Sequence, residues 1–257
     1  MSNYSDKILA DTPLAYWRMD AASGNLTDLS GNSKTATAAG TAATYGTVSL
    51  VPNENDSSIT FADNDNRFTA GDDADFELQT FSIEAWVLAT GVAAANSGSI
   101  IIAKQTGAIT GWILGIMLSG GNYFLSFAPR GGAGIFAALT YSSQISLNTA
   151  YHVAATTTPT SVRVYVNGVL VVDSTRSVAT TYSTESVLIG NGTSNDWGFV
   201  GKIDEVAFYA YELTAAQVKS HYDVSNNWGV PQRSLLPSNR RLIHRPALLL
   251  PGRRTLI

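Results

Sequence analysis

The chain has 257 residues, 45% of them hydrophobic but only 14% charged, and no cysteine. That is enough for one large domain with its own core. It excludes a disulfide framework, and no stretch approaches the length of a membrane-spanning segment. The opening Met-Ser-Asn-Tyr-Ser-Asp has neither the basic region nor the apolar run of a signal peptide. A net charge of −4 hides a split: twenty acidic and ten basic residues precede position 227, leaving −10, and the remainder carries six arginines and no acid.

Residues 5–10 read as a short helix with Ser5 as N-cap, packed down by Tyr4 and Ile8 and ended by Pro13. Residues 16–18 begin the first strand. The Ala/Gly/Ser/Thr-rich stretch 20–46 predicts loops with one or two weak strands, and 57–61 another strand. Residues 64–75, acidic and Asn-rich around Gly71, read as a solvated loop. Residues 81–88 predict a strand buried on much of both sides, with Phe81, Ile83, Ala85 and Val87 on one face and Glu84, Trp86 and Leu88 on the other.

Meander strands follow at 100–103, 111–118, 123–128 and 134–141, with turns at Gly120-Gly121-Asn122 and Arg130-Gly131-Gly132. Strands at 150–156 and 161–166 lead to Asn167-Gly168, a two-residue hairpin signal, and the return strand 169–173. Residues 188–222 read as strand, loop, strand, turn, helix. Gly190-Asn191-Gly192 supplies positive-φ residues for a tight turn. The strand 201–209 places Ile203, Glu205, Ala207 and Tyr209 on one face, and Asp204, Val206 and Phe208 on the other. Thr214 and Gln217 form a capping-box pattern, and Leu213, Val218 and Tyr222 give the helix an apolar stripe. Many short strands punctuated by turn signals predict an all-β protein, a two-sheet antiparallel sandwich over residues 1–226.

From Trp228 the pattern breaks. Pro231, Pro237, Pro246 and Pro251 oppose both helix and central strand. After Arg233 comes a near-repeat: Leu235-Leu236-Pro237 then Arg240-Arg241 and Ile243, and Leu249-Leu250-Pro251 then Arg253-Arg254 and Ile257. One reading of 227–257 is a disordered basic tail, although disordered segments are poor in Leu and Ile. The grouped leucines and arginines fit better an extended arm docked on another protein, with Leu in pockets and Arg on carboxylates.

Residues 201–209, Gly-Lys-Ile-Asp-Glu-Val-Ala-Phe-Tyr, followed by Leu213-Thr214 and Val218, resemble the closing strand and helix of laminin-G-like, concanavalin-A-like jelly-roll domains. Leu14-Ala15-Tyr16-Trp17-Arg18-Met19-Asp20 resembles the opening strand of that family, and Asp28-Leu29-Ser30-Gly31-Asn32 its first turn. Phe81-Ser82-Ile83-Glu84-Ala85-Trp86-Val87 resembles its central strand, and Tyr151-His152-Val153-Ala154 with Val164-Tyr165-Val166-Asn167-Gly168 its late hairpin. The resemblance runs in order over residues 4–222 and implies a concanavalin-A-like jelly roll with short terminal helices. Such domains serve as lectins, glycosidases, adhesion modules and virion proteins, so the fold leaves function open.

The glucanases of that fold use a Glu-x-Asp-x-x-Glu strand, and retaining chemistry needs carboxyls ~5–5.5 Å apart. No such triplet occurs: Glu84 stands alone in its strand, and Asp204 and Glu205 are expected on opposite faces. The three histidines, His152, His221 and His244, lie in no nucleophile motif. His152 and His221 read as structural, and the chain is expected not to be an enzyme. The resemblance implies a calcium on the sandwich, for which Asp20, Asp28 and Asp204 are the candidate ligands. The preferred alternative is that Asp28 and Asn32 cap a turn and Asp204 accepts from backbone amides. For glycans, which need an aromatic platform beside polar loops, the candidates are Asn122, Tyr123, Asn195, Asp196 and Trp197. The alternative there is a core tryptophan with ordinary turns. Trp17 and Trp86 are expected in the core.

Similar domains are frequent in tailed-bacteriophage structural proteins. The sequence is therefore expected to be a virion protein of capsid or tail, made in the host cytoplasm without a signal peptide. Residues 231–257 would bind other virion proteins, and the head would face outward toward host-surface glycans. Further copies of the chain on the particle are a candidate partner; nucleic acid and membrane insertion are not expected. The alternative is a free carbohydrate-binding lectin module, which needs no arm.

Overall fold

The structure is a computed structural model that describes residues 3–62, 65–93, 98–106, 110–131, 140–192 and 197–226. Helix α1 spans Asn3–Ala10 and is followed by β1 Ala15–Trp17, β2 Thr37–Ala39, β3 Thr44–Val48, β4 Ser57–Phe61 and β5 Arg67–Gly71. Then come β6 Phe81–Ala89, β7 Gly98–Lys104, β8 Thr110–Ser119, β9 Asn122–Gly131 and β10 Thr140–Ile145. β11 Ala150–Thr157, β12 Ser161–Val166, β13 Val169–Thr175, β14 Val187–Ile189 and β15 Gly201–Tyr209 lead to helix α2, Ala215–Asn226.

The strands form two antiparallel sheets. The first has the order β13-β12-β11-β6-β15-β4-β3, with β1 also paired to β15, and the second β10-β9-β8-β7-β14-β5-β2. Their facing sides enclose one core, in which the Phe81 ring lies 5.2 Å from Phe208 and 5.6 Å from Trp112. Each such side chain contributes ~1.5–3 kcal/mol by burial, several times a surface ion pair at ~0–1 kcal/mol. A second apolar cluster covers the other side of the first sheet. There α1 lays Tyr4 and Ile8, the segment before α2 lays Leu213, and α2 lays Val218 against Trp86, Ala207 and Tyr209. β6 is therefore buried on both faces, as its composition predicts.

Local signals are met where one local interaction decides the conformation. Asn167 and Gly168 have φ of 51° and 74°, the paired left-handed conformations of a tight hairpin. Thr214 N–H donates to Gln217 Oε1 at 3.0 Å and Gln217 N–H to Thr214 Oγ1 at 3.2 Å, closing the capping box.

Other expectations are corrected. α1 begins at Asn3, so Ser5 lies inside the helix rather than at its N-cap. The segment 64–75 is not a solvated loop. It contains β5, whose Phe68 is buried, and a 3-10 turn Ala74–Phe76 that buries Phe76. The acidic residues there face outward, with Asp75 and Asp72 accepting from Lys34 and Lys104. Arg130 and Gly131 continue β9 instead of turning. Of Gly190-Asn191-Gly192 only Gly190 has positive φ, 85°, and a Cβ there would come within 2.1 Å of the Phe61 ring. Most of the strand expected at 134–141, and the whole arm 227–257, lie outside the described residues. No described helix is long and apolar enough to cross a membrane.

Candidate functional site

β15 changes neighbours halfway along. Gly201, Lys202 and Ile203 pair with β4, and Val206, Ala207 and Phe208 with β1. At the changeover Asp204 still faces Trp86 of β6 but Ala207 faces Glu84, so one extra residue is accommodated as a bulge, with Glu205 at φ 52°. The bulge breaks the alternation. Ile203, Val206 and Phe208 enter the core between the sheets, and both acids turn to the other face. This corrects the expectation that Asp204 and Glu205 point apart.

Asp56, one residue before β4, meets them there, and one oxygen from each of Asp56, Asp204 and Glu205 lies within 4.8 Å of the others. Asp204 Oδ2 accepts from Ser49 Oγ at 3.0 Å and from Leu50 N–H at 2.9 Å. Glu205 Oε2 accepts from the Tyr16 hydroxyl. Arg18, one residue beyond β1, donates to Asp56 Oδ2 and, at 3.3 Å, to Glu205 Oε1. The buried oxygens Asp204 Oδ1 and Asp56 Oδ1 have no hydrogen-bond partner. Burial, and then the neighbouring Asp56 charge, pushes the Asp204 carboxyl well above its ordinary range. Burial and Asp204 do the same to Glu205.

With all three carboxyls ionised, one guanidinium would leave two negative charges unbalanced; burial and that imbalance raise Asp204 and Glu205, and two buried oxygens have no donor. Hard oxygen donors of this kind fit a divalent cation such as calcium, which takes six to eight oxygens. Asp56, Asp204 and Glu205 would hold it, and it would supply the missing charge and link β15 to the residue before β4.

Only Asp204 of the expected calcium set belongs to this group. Asp28 is a capping residue: its carboxylate accepts from Tyr16 N–H, Ser30 N–H and Lys34 N–H, each at 2.9 Å. Asp20 is exposed, with its oxygen 3.5 Å from Arg18. Asp56 and Glu205 were missed because their convergence depends on the bulge and on a strand exchange that no short motif records.

A second buried polar group lies under α2. Glu84 accepts from the Tyr209 hydroxyl and stands 3.1 Å from His152 Nε2. His221 Nδ1 is 3.0 Å from both Glu84 oxygens, and its Nε2 is 2.8 Å from Asp11 Oδ2. With a carboxylate at each ring nitrogen, His221 donates at both only as imidazolium. Burial opposes that charge, but Glu84 and Asp11 outweigh it and raise the imidazole pKa. Both histidines are fully buried, in line with the structural role expected for them.

The outer face of the second sheet carries the remaining candidate. Trp112, Leu114, Ile116, Leu125 and Phe127 point into the core, so Ile113, Gly115, Met117, Phe124, Ser126 and Ala128 point out. Half-buried Trp197 lies across this face on Ile100, Ala103, Ile113 and Ala128. Its indole is so close to Gly98 that a Cβ there would sit 2.4 Å from it. Asn122 is exposed at the β8–β9 turn and accepts from Gln144 at 2.9 Å. Tyr123 packs against the inter-sheet core and is not a platform. Asn195 and Asp196 lie outside the described residues.

A family model described as concanavalin A-like lectin/glucanases superfamily matches residues 53–219. Comparison with curated proteins gives no match. Among solved structures, the chain is similar to domain 4 of AbnA, an extracellular arabinanase from Geobacillus stearothermophilus seen with arabinotriose. The TM-score is 0.60 at 19% identity, over 82% of this chain and 98% of that domain. It is similar to the binding domain of botulinum neurotoxin serotype G, with a TM-score of 0.60 at 14% identity over 84% of this chain and 51% of the other. It is also similar to a sialidase from Trypanosoma rangeli, with a TM-score of 0.57 at 15% identity over 84% of this chain and 33% of the other. The chain thus spans about half of the toxin binding domain and a third of the sialidase. At these identities the likeness is one of fold.

Proposed function

We propose, from the premise that the chain belongs to the concanavalin A-like lectin/glucanases superfamily, that its head is a non-hydrolytic, glycan-binding lectin-like module. The observation that carries this reading is Trp197, half-buried across the outer face of the second sheet, where the outward residues of β8 and β9 that flank it include no carboxylate. An aromatic face offers a sugar ring apolar contact, and hydrolysis would need paired carboxyls there. The acids that do converge, Asp56, Asp204 and Glu205, are held beside β1 and β4, and Glu84 lies under α2. The arabinanase domain seen with arabinotriose supports a saccharide as ligand class. A glycan array probed with the full chain and with Trp197→Ala tests this. Binding by the first and not the second is expected; equal binding, or turnover of any bound glycan, would overturn it.

The −10 against +6 charge split favours a further reading, that residues 227–257 fix the head to a larger assembly. A bacteriophage virion, by capsid or tail, is the assembly we propose; a free lectin module is the alternative. Particles made with the chain truncated after Asn226 discriminate the two: the virion reading expects the truncated protein to be missing from them.

A further inference from the structure

The carboxylate group at the β15 bulge already contains a cation, and its placement has consequences for any ion that binds there. Arg18 Nη2 donates to Asp56 Oδ2, Nε lies 3.3 Å from Glu205 Oε1, Nη1 is 3.5 Å from Asp20 and Nη2 is 3.9 Å from Glu54. Two of the three clustered acids are thus engaged by one guanidinium. Its side chain keeps 17% exposure, and Asp20, 44% exposed, stands at the rim as an alternative partner. The inner oxygens Asp204 Oδ1 and Asp56 Oδ1 stay without a donor, although Asp204 is fully buried. A guanidinium is planar and presents its donors in a fixed fork, so it cannot reach every oxygen of a three-carboxylate group. A spherical divalent ion can.

We infer that Arg18 is the resident counter-ion of this site. It competes with a divalent cation for Asp56 and Glu205, holds the bulge together when no metal is bound, and sets how tightly metal binds. The inference rests on the reading of Asp56, Asp204 and Glu205 as cation ligands. A bound ion takes the oxygens of Asp56 and Glu205, and the guanidinium moves outward to Asp20. The price of keeping Arg18 is weak ion binding; the gain is a fold that does not depend on metal.

Terbium luminescence and calcium titration of the full chain test this, because the Tyr16 hydroxyl bonded to Glu205 is positioned to sensitise a bound terbium ion. Removal of the competing charge in Arg18→Met is expected to tighten terbium and calcium binding roughly tenfold or more and to make the melting temperature fall more steeply in chelator than that of the unaltered chain. Arg18→Lys, which keeps the charge, is expected to stay within a few-fold of the unaltered affinity. Asp204→Asn is expected to abolish sensitised emission in either background. Equal affinity in the unaltered chain and Arg18→Met would overturn the competition and leave the cation site standing. No emission and no calcium-dependent melting shift in any variant would overturn the cation site itself. Should Arg18→Met not fold in chelator, recovery on adding calcium supports the inference and failure to recover overturns it.

Discussion

His221 Nδ1 on α2 lies 3.0 Å from both carboxylate oxygens of Glu84, on the strand beneath it. With Asp11 at its other nitrogen, one imidazolium ties the closing helix to the first sheet and to the end of α1. Its pKa is raised above 6.5 in the folded chain, chiefly by Glu84 against the opposing effect of burial. That stabilisation is complete below pH 6.5 and is lost as the pH rises through the raised folded value. On the acid side, burial raises Asp11, but Lys7 and His221 outweigh it and hold it at about 2, so its contribution is complete above pH 3.8 and is lost as the pH falls through the folded value. His221→Gln is expected to cost ~3–5 kcal/mol, because Glu84 remains buried without its charge partner. It should also flatten the alkaline fall in melting temperature. An unchanged alkaline slope would show that His221 is neutral in the fold.

Asp204→Asn separates the structural from the ionic role of that side chain. The amide oxygen can still accept from Ser49 and Leu50, and the amide cannot ionise beside Asp56 and Glu205. In chelator the variant should melt at or above the unaltered chain, whereas the calcium-dependent rise should vanish. Asp204→Ala also loses the acceptor and should cost ~1–3 kcal/mol in chelator. A destabilised Asp204→Asn in chelator would mean that the charge itself is needed without metal.

Gly98→Ala tests Trp197 without touching the indole. The glycine has ordinary backbone φ, but a Cβ would lie 2.4 Å from the Trp197 ring and 2.8 Å from Met117 Sδ. The indole should be displaced, with loss of glycan binding and a small change in melting temperature. Retained binding would place the sugar site elsewhere.

The capping box of α2 is expected to matter in proportion to its two hydrogen bonds. Thr214→Ala should lower stability by ~0.5–2 kcal/mol with no effect on ligand binding, read by denaturant titration. A null effect would mean that α2 is held by its buried face alone.

Truncation after Asn226 should leave the melting temperature of the head nearly unchanged while removing the chain from particles. Ordering an isolated arm costs roughly 1–2 kcal/mol per residue in backbone entropy, whereas each leucine buried on a partner returns ~1.5–3 kcal/mol. Incorporation at the full copy number would remove the arm as anchor. Unfolding of the head would make residues 227–257 part of the sandwich.

Sequence alone determined what one or two neighbouring residues decide. The strand Ser57–Phe61, the strand Gly201–Tyr209, the left-handed pair Asn167-Gly168 and the Thr214–Gln217 cap stand where local chemistry put them, and their order was enough to identify the family. Asp28 as a turn cap was legible for the same reason. Segment 64–75 was not, because β5, Arg-Phe-Thr-Ala-Gly, has a single large apolar residue and is flanked by acids and asparagines. The site lay further out of reach. Alternation along β15 separates Asp204 from Glu205, and only the exchange of β4 for β1 as neighbour allows the extra residue that brings them to one face. Asp56 and Arg18 join them from elements 148 and 186 residues away from Asp204 in the chain. Glu84 meets His221 across 137 residues in the same way. A bulge with Glu205 at φ 52° has no residue signature when the residue is not glycine. Its energy is recovered from pairing on both sides, and that pairing exists only once the sheet has assembled.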